Sequence, residues 1–203
     1  MPSITACSKR RLEGLRLLLV CAWLSFVGLV TAAEVEVLTP QLTISDEGYA
    51  VSADFQFELT SRLEEAVTRG VVLTFLIDFE LINKRWYWFD DKLVSRQMSL
   101  RLYYHALTRQ YRVVSGGGLH QSFFTLDEAL RVVSRLRSWQ VIEKASDFPP
   151  IKSGEGYRGA IRFRLDVTQL PKPLQIFAVG SRDWHLASDW KAWNINIPAA
   201  ESK

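Results

Sequence analysis

Two stretches of the chain alternate cleanly between apolar and polar positions. In the first, Val51, Ala53, Phe55, Phe57 and Leu59 are separated by Ser52, Asp54, Gln56 and Glu58. In the second, Tyr157 to Thr168, the residues Ile161, Phe163, Leu165 and Val167 face one way and Arg158, Arg162, Arg164 and Asp166 the other. A period of two with one apolar face predicts antiparallel strands that are wet on one side. Glu34–Leu38 alternates in the same way, Pro40 ends that strand or marks a sheet edge, and Leu42–Ile44 extends the pairing up to the turn residues Asp46-Glu47-Gly48. Val71–Leu81 is different: both parities are apolar at first, which predicts a central strand covered on both faces. On this reading Asp78 and Glu80 mark the point where the strand emerges into water.

Further along, Asn83-Lys84 turns the chain into Arg85-Trp86-Tyr87-Trp88-Phe89, and Asp90-Asp91 turns it again into a long strand over Leu93–His105, where Arg96 interrupts the apolar parity. Tyr111–Val114 and Leu119–Phe124 flank Ser115-Gly116-Gly117-Gly118, a hairpin signal. Trp190–Ile197 reads as the last strand. Helical spacing occurs twice. Ser61-Arg62-Leu63-Glu64 has the capping-box spacing, Leu63, Ala66 and Val67 share a face, and Gly70 stands at the C-terminal end, so a helix is predicted over 61–69. Thr125-Leu126-Asp127-Glu128 is a second box; with Leu126, Ala129, Leu130 and Val133 on one face and Arg131, Arg135 and Arg137 favoured by the helix dipole, the prediction is a helix over 126–138. Leu174–Val179 is open between strand and a turn of helix. The expected fold is mainly β with two short-to-medium helices: an antiparallel β-sandwich or strongly curved sheet, with a lipocalin-like barrel as the alternative.

The N-terminus changes the picture of compartment. Lys9, Arg10 and Arg11 precede an apolar run ending in Thr31-Ala32-Ala33, the three-part pattern of a signal peptide, with cleavage expected after Ala33. An uncleaved anchor in the inner membrane is the alternative, although Leu17–Ala33 is shorter than the ~20 apolar residues a spanning helix needs. Residues 1–33 are thus read as leader, 34–197 as one domain and 198–203 as a loose tail. Both cysteines, Cys7 and Cys21, fall in the leader, so the domain is expected to rely on its core rather than on disulfides. Four of the 25 basic residues and one of the 22 acidic ones also lie there. The domain itself is formally neutral, which removes bulk-charge support for nucleic-acid binding.

Four features in combination resemble one known family. They are the strand ending Leu81-Ile82 before Arg85-Trp86-Tyr87-Trp88, the long strand containing Leu100-Arg101-Leu102-Tyr103-Tyr104, the hairpin near Ser115-Gly116-Gly117, and Leu170-Pro171-Lys172-Pro173-Leu174 before Trp184 and Trp190. Together they resemble DUF4390, an exported domain of Gram-negative proteobacteria, over nearly the whole mature chain. The resemblance implies a periplasmic setting. It also implies a link to envelope signalling, because genes of that family often lie beside a sensor histidine kinase of the nitrogen-regulation type. It brings no activity and no catalytic residues.

Candidate chemistry is sparse. His105, His120 and His185 lack the local spacing of a metal site, and no metal or cofactor is expected. Ser115-Gly116-Gly117-Gly118 leads into a strand, not the helix a phosphate-binding loop opens. Asp78, Glu80, Asp90 and Asp91 offer carboxylates for a hydrolase, although Asp90-Asp91 suits a turn. Arg85, Trp86, Tyr87 and Trp88 form an aromatic ribbon suited to an interface or a sugar ring. Arg158, Arg162 and Arg164 form a basic stripe that Arg101 and Arg112 can widen into a face for an acidic partner or anionic head groups. The first expectation is a non-catalytic envelope interaction module. Its partner would be an envelope or inner-membrane protein, with a sensor histidine kinase among the candidates, and it would not stay inserted in the membrane after cleavage. The second is a small-ligand or glycan binder using Trp86, Trp88 or Trp190, and the third a carboxylate hydrolase.

Overall fold

A computed structural model describes residues 35–45, 48–83, 91–142 and 157–195, all within the unit Ala32–Lys203. The leader, the Arg85–Trp88 ribbon, Asp90 and the 198–203 tail lie outside the described residues. Element order is β1 (Glu36–Ser45), β2 (Gly48–Gln56), α1 (Ser61–Thr68), β3 (Leu73–Asn83), β4 (Asp91–His105), β5 (Gln110–Ser115), β6 (His120–Phe123), α2 (Leu126–Val133), β7 (Arg135–Ile142), β8 (Tyr157–Leu165), α3 (Lys172–Ala178) and β9 (Lys191–Ile195).

The chain is mainly β, as the alternation predicts, and its strands pair antiparallel in two sheets. The small sheet has the order β1-β2-β7 and the large one β6-β5-β4-β3-β8-β9. Neither closes into a barrel, so the lipocalin-like alternative gives way to a sandwich of unequal sheets. The doubly apolar β3 is central, hydrogen-bonded to β4 on one side and β8 on the other. Pro40 lies on the edge strand β1, where a missing N–H costs no ladder bond. The register slips there, between Leu38 and Gln41.

The sheets meet over β3 and β8. Phe55 of β2 lies 4.9 Å from Phe163 of β8, and Phe57 stacks on the same ring at 5.0 Å. Phe79 of β3 meets Trp139 of β7 edge-on at 6.5 Å. Phe75, Ile77, Phe79, Leu81, Ile161 and Phe163 are fully buried. Gly159 permits one further contact. A Cβ there would fall 2.6 Å from the ring of Trp193, so only glycine lets β9 lay that indole over the β8 backbone.

The helices depart from expectation in detail. Thr60, not Ser61, caps α1, its hydroxyl accepting from the Leu63 N–H at 3.3 Å. At the other end Gly70, at φ 89°, closes a Schellman turn in which Gly70 N–H donates to Val67 and Val71 N–H to Ala66. The Thr125–Glu128 capping box is present in both directions. However, α2 stops at Val133 instead of continuing to residue 138. From Arg135 onward the backbone pairs with β2, Asp54 opposite Arg135 and Ala53 opposite Leu136, and the Arg137 guanidinium reaches the Asp54 carboxylate at 2.6 Å. Arg131 keeps its expected place in the last turn of α2, whereas Arg135 and Arg137 are strand residues, because tertiary pairing outweighs a local preference worth tenths of a kcal/mol. Leu174–Val179 resolves as helix α3 plus its cap, a third helix where two were expected.

Candidate functional site

The strand register decides which side chains share the face of the large sheet that points away from the small one. On β3 these are Thr74, Leu76, Asp78, Glu80 and Ile82. Opposite Leu76, Asp78 and Ile82 on β8 stand Arg164, Arg162 and Arg158. Opposite Thr74 on β4 stands Arg101, and the next pair outward brings Arg112 of β5 opposite Tyr103. Five arginines that are scattered in sequence thus lie on one sheet face. Within it the described acidic residues are Asp78 and Glu80, and Glu80 is taken by Lys92 at 2.8 Å.

Asp78 is the organising group. It is 8% exposed, so its charge must be paired. The Arg162 guanidinium donates twice to its Oδ2, at 2.8 and 3.2 Å, Arg164 Nε donates to the same oxygen at 2.9 Å, and Gln97 Nε2 donates to Oδ1 at 2.6 Å. Burial pushes the carboxyl pKa up, but the hydrogen bonds from Arg164, Gln97 and Arg162 outweigh it and hold the group below its ordinary value. The reading of Asp78 as the point where β3 emerges into water is therefore corrected: it is a buried anion holding two arginines in register. The signal was in the sequence, since a carboxylate inside a strand apolar on both parities requires a cationic partner, and the alternating arginines of β8 supply it.

The same contacts bear on the carboxylate chemistry. With Gln97, Arg162 and Arg164 donating to it and its proton lost, Asp78 is suited to fixing arginines rather than to proton transfer. Among the described residues Arg101, Arg112 and Arg158 make no ion pair, and Arg112 Nε is buried without a hydrogen-bond partner. Arg162 carries one more contact, its guanidinium lying 4.7 Å above the Trp190 ring, which is 40% exposed. The stripe of Arg158, Arg162 and Arg164 and the candidate aromatic Trp190 are thus parts of one surface.

The other candidates stay apart. His105 ends β4 and bonds Thr108 at 3.1 Å, His120 opens β6, and His185 follows a 3₁₀ turn. Among the described residues no three His, Cys, Asp or Glu side chains gather as a metal set. Ser115–Gly118 is the β5–β6 turn. Arg85, Trp86, Tyr87 and Trp88 lie outside the described residues. No described helix is long and apolar enough to cross a membrane.

No curated protein and no solved structure matches the chain. The family pattern of DUF4390, described as a domain of unknown function, matches residues 32–194. That span takes in all nine described strands but for the last residue of β9, and on it the chain belongs to the DUF4390 family.

Proposed function

We propose that this protein is a non-catalytic, exported interaction module that docks an acidic surface of an envelope protein onto the outer face of its large sheet. The observation that carries the reading is the convergence of Arg101, Arg112, Arg158, Arg162 and Arg164 on one face, with Asp78 spent on fixing two of them. Guanidinium groups present rigid forks of donors that match carboxylates, and an ion-pair staple holds them in place before a partner arrives. The leader pattern of residues 1–33 supports export to the periplasm, and the gene setting implied by the family favours an inner-membrane partner such as a sensor histidine kinase. A second reading, glycan or small-ligand binding, draws on Trp190, whose half-open ring beside Arg162 offers a stacking surface.

The test is charge reversal of two unpaired arginines, Arg101→Glu with Arg158→Glu. Partner recovery by crosslinking in cells should fall at least tenfold while export and thermal stability persist, and binding of the native protein should weaken steeply with salt. Unchanged recovery in the reversed variant would overturn the reading. Binding of cell-wall sugars that depends on Trp190 but not on salt would favour the second one.

A further inference from the structure

The two sheets differ in width, and the difference leaves a space. β1 and β2 lie over β9 and β8, as the β1 contacts and the Phe55–Phe163 pair show. β7 lies over β3 and β4: Trp139 meets Phe79, and Arg96 Nε donates to the Val141 carbonyl at 3.1 Å. Three strands therefore cover four, and β5 and β6 extend beyond them. Helix α2 spans part of the overhang, contacting β5, β6 and β4. Between α2 and β7 above and β4–β6 below, a cleft of about 520 Å³ remains, within the size range of small-molecule sites.

Its chemistry is two-sided. The floor is apolar, formed by Met98, Leu100 and Val113 of the large sheet with Val132, Leu136 and Trp139 of the covering elements. The rim carries Arg131, Arg135 and Arg137. Arg137 is engaged by Asp54 at 2.6 Å and by the carbonyls of Ala53 and Leu136. Arg131 and Arg135 are exposed and make no ion pair among the described residues. Leu119, 63% exposed, stands at the same rim. Burying apolar atoms on such a floor is favourable, and the two free guanidinium forks are matched by a single carboxylate at the mouth. A neutral apolar ligand would leave the forks unused, and a small anion would leave the floor wet.

We propose that this cleft binds a single-chain fatty carboxylate, the chain on the Met98–Leu100–Val113–Leu136 floor and the head group on Arg131 and Arg135. The site lies on the opposite side of the large sheet from the proposed protein-docking face and does not depend on it.

Calorimetric titration of the purified protein with saturated fatty acids of increasing length, each below its micelle concentration, tests the site. Affinity should rise about fourfold per methylene, the equivalent of ~0.8 kcal/mol, until the cleft is full, and then level off. The primary alcohol of equal length should bind at least tenfold more weakly. Arg131→Gln with Arg135→Gln should remove the preference for the acid while leaving the alcohol's affinity unchanged, and both substitutions sit on exposed side chains, so the fold is retained. Val132→Trp, which fills the cleft from α2, should shorten the chain length at which affinity levels off. Overturning results are affinity independent of chain length, equal binding of acid and alcohol, or a length dependence that neither substitution alters, which is surfactant adsorption. Binding to phosphatidylglycerol vesicles without binding to free fatty acid would also overturn it.

Discussion

Along β3, Phe75, Ile77 and Phe79 are fully buried between the sheets, while Leu76, Asp78 and Glu80, one residue over, point to the other face. The inner face is held by contact: Phe163 alone packs against Phe55, Phe57 and Phe75 at ring distances of 4.9, 5.0 and 5.4 Å. The outer face is held by charge, with Asp78 between Arg162 and Arg164. Both faces are nearly closed to water at their centres, yet one gains stability from apolar burial and the other only satisfies what it has buried. A buried ion pair contributes little net stability relative to an apolar pair of the same size, but breaking it is costly. The centre of the outer face is therefore held by satisfied charge rather than by apolar cohesion, and it is on this face that the proposed docking surface lies.

Substitutions should divide along the same line. The largest effect is expected inside: Phe163→Ala should lower unfolding free energy by about 3–5 kcal/mol, read as a shifted urea midpoint. Asp78→Ala comes next, at about 2–3 kcal/mol, because Arg162 and Arg164 lose their acceptor. Gly159→Ala should cost about 1–3 kcal/mol by driving the Trp193 indole off β8, visible as a changed tryptophan emission. Arg158→Ala and Arg101→Ala should change stability by less than about 0.5 kcal/mol while weakening the partner.

Acid offers a further cut. The folded pKa of Asp78 lies below the ordinary 3.8. Its stabilising contribution is thus fully present above the unfolded value and is lost as pH falls through the folded one. Stability should drop below about pH 4, and Asp78→Asn should flatten that part of the profile. An unchanged acid limb in the Asn variant would show that other carboxylates dominate it.

The inner face was legible because its signal is local. Alternation in β2 and β8, the doubly apolar β3, and the Thr125–Glu128 box all act within a few residues. The outer face was legible only in part. Arg158, Arg162 and Arg164 share a parity within one strand, but bringing Arg101 and Arg112 beside them takes the β8-β3-β4-β5 order, which no short window contains. The path of residues 135–138 was missed for the same reason: Arg135 and Arg137 satisfy a helix end locally, and the bonds that hold them in β7 come from β2, more than 80 residues earlier. Thr60 was missed because Ser61 offers an equally good cap one position on.

Site-specific photocrosslinking in living cells is the most direct test of whether the outer face of the large sheet is the docking face. A photoreactive residue replaces Ala192 or Ser95, which are exposed on that face, or Gln140 or Glu36, which are exposed on the small sheet. One envelope protein should be captured from Ala192 and Ser95, be absent from Gln140 and Glu36, and be lost when Arg101 and Arg158 are reversed to Glu. Capture from the small sheet instead, or capture indifferent to the reversal, would contradict it.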